Sequence, residues 1–178
     1  MKQWHRSGDE VVATFERQEA HLLRAMVDQI RDILAARTAQ APADELSALT
    51  GIRTGPSTAP DDRVLARLLP EFSREDPALS GGLRSLHEPE LIDTKDGVAA
   101  VVLDTCPRDG GTVRLGAEAA AAWLSALNDV RLALGTVLEV SEDMPDQLPD
   151  SDPRAPHFGV YHWLTYVQET LVLAVAGE

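Results

Sequence analysis

The chain has 178 residues, with 16 Lys+Arg against 29 Asp+Glu, giving a formal net charge of −13 at pH 7. Its 44% hydrophobic content supplies a core for one domain, and its single cysteine excludes an internal disulfide and a multi-thiolate zinc site. The acidic balance disfavours a nucleic-acid coat or an anionic membrane surface, and no apolar run reaches the roughly 18–20 residues of a membrane span.

The N-terminus MKQWHRSGDE has no signal-peptide apolar region, so a cytoplasmic protein is expected. Trp4 precedes Ser7-Gly8-Asp9, and Val11, Val12 and Phe15 follow, which predicts a short hairpin about Gly8-Asp9. A helix should begin near Glu16 and run to about Arg37. Leu22, Met26, Ile30 and Ile33 form one apolar row of it; Leu23, Val27, Ile30 and Leu34 form the next.

Residues 38–61 are rich in Ala, Thr, Ser, Pro and Gly and read as a mobile connection, with one helical turn near Asp44–Leu49. Asp61 or Asp62 then caps a short helix holding Val64, Leu65, Leu68 and Leu69, which Pro70 stops.

From Pro77 to Cys106 the pattern is helical but broken. Pro89 opens a new segment, Gly97 weakens it, and Val98–Leu103 reads as helix or strand. Thr112–Leu115 is a second short extended piece. The longest unambiguous helix follows, from Ala117 to about Leu138, with Trp123, Leu127, Val130, Leu134 and Val137 as one stripe.

Residues 141–157 form an acidic, proline-rich loop. A last helix from about Val160 to Ala174 buries Val160, Trp163, Leu164, Val167, Leu171 and Ala174. Its apolar opposite side makes it a central helix. The expected architecture is mainly α: one domain over 1–178, a bundle on three long helices with a minor two-stranded β element.

An internal echo runs through this pattern. A shift of 101 positions pairs Leu22 with Trp123, Met26 with Leu127 and Asp28 with Asp129. Either two strand–helix units lie with their strands side by side, or two amphipathic helices align by periodicity alone.

The five histidines show no metal-ligand spacing, and the acidic loop lacks the glycine and the closing glutamate of a calcium site. No phosphate-binding glycine loop or nucleophile motif occurs. No catalytic, cofactor-binding or metal residue is therefore assigned, and no cofactor is implied. Cys106 is a structural thiol or an oxidation sensor; as the lone cysteine it would need sulfenate chemistry or an intermolecular disulfide. Arg131 falls at the edge of the apolar stripe with Asn128 just beyond it and Asp129 pointing away, which suits a structural polar network or a partner contact. Trp123 and Trp163 are expected as buried packing residues, with Arg131 held by an acidic or carbonyl partner.

The runs WLSALNDVRLALG (123–135) and YHWLTYVQETLV (161–172) resemble an actinobacterial family catalogued as domain of unknown function 2017. EAHLLRAMVDQI and RVLARLLPEF match it more loosely. The resemblance implies a role in oxidative-stress-responsive transcription, through promoters or the transcription machinery and a redox-active thiol pair. This sequence departs from that pattern, because Cys106 has no second cysteine to pair with. The expected function is thus a non-enzymatic regulator acting through a protein partner, with direct nucleic-acid binding weak or absent and a homodimer favoured by surplus apolar surface. The alternatives are an adaptor in regulated proteolysis, or a small-molecule-binding protein or enzyme with Tyr161, His162 and the Asn128–Arg131 edge around a pocket.

Overall fold

The computed structural model describes residues 1–41, 50–51, 53–141, 143–144, 148–149 and 151–177. The helical turn expected near Asp44–Leu49, and Asp146 and Asp150 of the acidic loop, lie outside the described residues.

Strands β1 (Lys2–Ser7) and β2 (Glu10–Phe15) form the expected hairpin, turning through Gly8 at a φ of 66°. Strand β3 (Gly111–Leu115) adds antiparallel to the other edge of β2, so the sheet has three strands in the order β1-β2-β3, not two. Val113 lies opposite Ala13, which is the side-by-side arrangement of strands that the internal echo left open. Gly110 makes the join possible. A Cβ there would lie 2.6 Å from the Arg17 backbone nitrogen, and its φ of +76° suits glycine.

Five helices occur among the described residues: α1 (Arg17–Thr38), α2 (Arg63–Leu68), α3 (Pro77–Thr105), α4 (Ala117–Leu138) and α5 (Ala155–Ala176). Four of them are long, which corrects the three-helix expectation. Asp62 caps α2, its side chain accepting from the Leu65 N–H at 2.8 Å. Asp76 caps α3 by accepting from Ala78 and Leu79.

Helix α3 runs unbroken for 29 residues through Pro89 and through the stretch 98–103 that also read as strand. Proline removes the N–H that would bond the Ser85 carbonyl. The Gly55 N–H takes that carbonyl instead at 2.8 Å, and the Ser85 hydroxyl donates back to the Gly55 carbonyl at 3.0 Å. The break is thereby converted into a docking point for the preceding segment. The buried row of the first half of α3 is polar, Ser80–Arg84–Glu88, and so is invisible to an apolar-periodicity reading.

The internal echo is real in space, with an offset of 100 rather than 101. β2 and β3 are neighbours, and both α1 and α4 are 22 residues long, beginning at Arg17 and Ala117. At this offset buried Ala20, Leu23, Val27 and Ile30 match buried Ala120, Trp123, Leu127 and Val130. The strand pairing is symmetric under it too: Val12–Arg114 exchanges with Thr14–Thr112.

Helix α4 is the central one, packing against α1, α2, α3 and α5. Trp123 is fully buried against Trp4 and Phe15, at ring-centroid distances of 5.3 and 5.8 Å. Its indole N–H donates to the Thr105 hydroxyl at 2.8 Å. Helix α5 starts at Ala155, inside the expected loop, since Pro156 is tolerated in a first helical turn. It is not central: Tyr166, Val172, Leu173 and Val175 on its outer side are exposed. No described helix is long and apolar enough to cross a membrane.

Candidate functional site

Cys106 caps the C-terminus of α3 and is 2% exposed. The Arg24 guanidinium lies close by but donates to the carbonyl oxygens of Leu103 and Cys106, the latter at 2.6 Å. Burial outweighs the charge of Arg24 and pushes the thiol pKa up to about 11. At neutral pH the group is a protonated, shielded thiol. Arg108, the neighbour in sequence, is exposed.

The other expected contact residues separate. Trp123 is interior, as described. Asn128 is exposed, whereas Asp129, expected to point away, is buried and pairs with Lys95 at 2.7 Å. The reason is that α4 packs on α3 with the side that carries Asp129, where Lys95 meets it. Arg131 is partly buried. Its Nη1 donates to the Gln168 side-chain oxygen at 2.5 Å, and its guanidinium carbon lies 5.6 Å from the centre of the Tyr161 ring. Gln168 in turn donates to the Leu124 carbonyl. The partner is thus an amide oxygen, and among the described residues Arg131 meets no carboxylate.

Trp163 is half-buried, not buried. It opens a groove that the two apolar rows of α1 create by parting. Leu23, Val27, Ile30 and Leu34 go into the core. Leu22, Met26 and Ile33 stay outside and line two successive hollows of about 320 and 360 Å³. The first lies between Leu22, Val160 and Trp163; the second lies between Met26, Ile33, Leu134 and Val137. Val137, expected in the stripe, is 65% exposed here. The Trp163 indole N–H is buried and has no acceptor among the described residues. Glu19 and Asp62 are among the lining residues, but Glu19 pairs with the Met1 ammonium at 2.7 Å and Asp62 caps α2.

Tyr161 and Arg131 line a common cleft, two of the residues that the alternative pocket reading named. His162 is exposed and packs edge-on to Phe158, and Asn128 is not among the lining residues. Among the described residues no group of three His, Cys, Asp or Glu could hold a metal ion.

A buried ionic row escaped the sequence reading altogether. Glu88 is 0% exposed and accepts from Arg37 at 2.7 Å and from Arg84 at 2.7 Å. Arg37 also donates to the Thr58 carbonyl, and Arg84 to the carbonyls of Leu69 and Pro70. The row clamps the chain between α1 and α3. The i,i+4 spacing of Arg84 and Glu88 was the available signal, but Pro89 beside it argued against a helix.

The family described as Domain of unknown function (DUF2017) matches residues 1–175. Over 186 aligned residues the chain is 43% identical to the Oxidative stress regulator AosR of Mycobacterium tuberculosis (strain ATCC 25618 / H37Rv), covering 97% of this chain and 85% of that protein. The protein of the same name from Mycobacterium bovis gives the same figures. A Mycobacterium leprae relative is 42% identical over 170 residues, 88% of this chain and 78% of its own. No solved structure matches the chain.

Proposed function

The chain belongs to the DUF2017 family, and from that membership we propose that it regulates the response to oxidative stress by binding another protein. The observation that carries this reading is the 43% identity, over 97% of the chain, to proteins named oxidative stress regulator. Two features of the chain support the mode of action. Its charge of −13 opposes direct contact with phosphates, so a gene-level effect runs through a protein partner. The groove beside Trp163 offers that partner an apolar seat. A protein of the transcription machinery with a basic, apolar segment fits both.

The thiol-pair mechanism implied by the resemblance does not transfer. One cysteine cannot close an internal disulfide, and Cys106 is held as a buried thiol. The oxidant signal reaches this regulator through its partner, or through an opening that first exposes Cys106.

The test is transcript profiling of the source organism with the gene deleted, before and after peroxide. Loss of part of the peroxide response, restored by the natural gene but not by Val137→Lys, supports the reading. That substitution sits on the exposed rim and adds a charge that repels a basic segment. An unaltered peroxide response in the deletion strain would overturn the regulator role; full restoration by Val137→Lys would move the contact away from the groove.

A further inference from the structure

We propose that the cleft between α2, the C-terminal end of α4 and Tyr161 of α5 is a binding site for the phosphate group of a small organic phosphate. It is independent of the groove and of the regulator reading. The cleft has a volume of about 430 Å³ and gathers Arg63, Arg67 and Arg131 with Glu139 as the one carboxylate among its lining residues. Three guanidinium groups against one carboxylate leave a local excess of two positive charges, in a chain whose acidic residues outnumber its basic ones 29 to 16. Such a concentration is a site for an anion.

Of the three arginines, Arg131 is held in place without being neutralised. Arg131 is oriented by the Gln168 side-chain oxygen and the Tyr161 ring, and both of these are uncharged. Its Nε is buried and has no acceptor among the described residues. A partly buried cation ordinarily finds a carboxylate; this one is positioned and left open. Arg63 is steadied by Glu139 at 3.0 Å. Glu139 is the one described non-glycine residue with a left-handed backbone, at a φ of 56°. Arg67 is exposed and makes no ion pair among the described residues.

The wall is equally specific. A Cβ on Gly135 would stand 3.3 Å from Cε2 of Tyr161, so glycine lets the ring settle against α4 under the Arg131 guanidinium. The Tyr161 hydroxyl adds a further donor beside the arginines. Donors from two helices and a tyrosine approach from several directions, which matches a tetrahedral phosphate better than a planar carboxylate. The remaining space and the face of Tyr161 leave room for the organic part of a small ester.

The direct test is an NMR titration of the ¹⁵N-labelled chain with inorganic phosphate, at constant ionic strength with chloride as the balancing anion. The expected result is saturable shifts of the Gly135, Thr136 and Arg63–Arg67 amides, with half-saturation in the low millimolar range, about 1–5 mM. Arg67→Ala and Arg131→Gln should each weaken binding roughly tenfold, while Arg17→Ala, which removes an exposed arginine beside Asp109, should not. Arg67 is exposed, so its substitution keeps the test valid even where Arg131→Gln fails to fold. Shifts that do not saturate, or equal weakening by Arg17→Ala and Arg67→Ala, would overturn the site. Free phosphoserine and a phosphoserine peptide separate the sources of the phosphate. Comparable affinity supports a small ligand, whereas a peptide binding more than about tenfold tighter would overturn the small-molecule assignment.

Discussion

Arg37 and Arg84 meet Glu88 in the interior, where all three side chains are at most 3% exposed and the guanidinium groups also donate to backbone carbonyls. Arg63, Arg67 and Arg131 stand around an open cleft, where Arg67 and Arg131 meet no carboxylate among the described residues. The residue types are the same and the consequences are opposite. In the first region two guanidinium groups share one carboxylate and give further donors to backbone carbonyls, and the arrangement is a clamp. In the second, Glu139 answers Arg63 alone, Arg67 and Arg131 stay unanswered, and a bound anion would complete them. Compensation, not composition, separates structural arginines from those that await a ligand.

Substitutions test this contrast most sharply. Glu88→Ala strands two buried guanidinium groups, and should lower the unfolding free energy by roughly 3–5 kcal/mol, read from urea midpoints. A loss below about 1 kcal/mol would show that water reaches the row and that it is no clamp. Removing Arg67 from the cleft should instead leave stability within about 0.5 kcal/mol of the natural chain.

The thiol at the end of α3 gives a pH signature. The folded chain holds the Cys106 pKa at about 11 against an ordinary 9.0, so folding favours its protonated form. That contribution is complete below about pH 9 and disappears as pH climbs towards 11, a loss on the order of 2 kcal/mol. Urea midpoints at pH 8 and pH 10.5 should fall more for the natural chain than for Cys106→Ala. Equal falls would mean that the thiol is open to solvent.

The sequence was readable wherever burial is apolar and local. The hairpin about Gly8, the short helix capped by Asp62 and the helices begun near Glu16 and Ala117 all follow from turn residues, caps and one-sided apolar rows. Helix α3 reads as broken because Gly97 weakens the pattern and its buried row, Ser80, Arg84 and Glu88, is polar. Pro89 added a stop signal, and the missing bond that it causes is made good by Gly55. The third strand pairs across about a hundred positions, where the internal echo gave the signal but periodicity alone explained it equally well. Helix α5 was misjudged as central because its surplus apolar residues lie on the surface. Of the site residues, the Arg131–Tyr161 cleft was foreseen in part, while Asn128 and Asp129 exchanged roles through the direction in which α4 faces α3.

The exposed row Tyr166, Val172, Leu173 and Val175 carries the smallest expected effect. It is the surface on which the homodimer foreseen from the sequence would form, opposed by −13 on each copy. Sedimentation equilibrium at high salt should then show more dimer than at low salt. A species of 19.3 kDa at every salt and concentration would exclude the dimer.

The measurement that bears most directly on the contrast between the two arginine clusters is thermal unfolding of the natural chain and Arg67→Ala, each with and without about 20 mM phosphate at matched ionic strength. A ligand that completes the open cleft should raise the Tm of the natural chain by about 2–4 °C and that of Arg67→Ala by much less. An equal rise in both proteins, or none in either, would contradict the account.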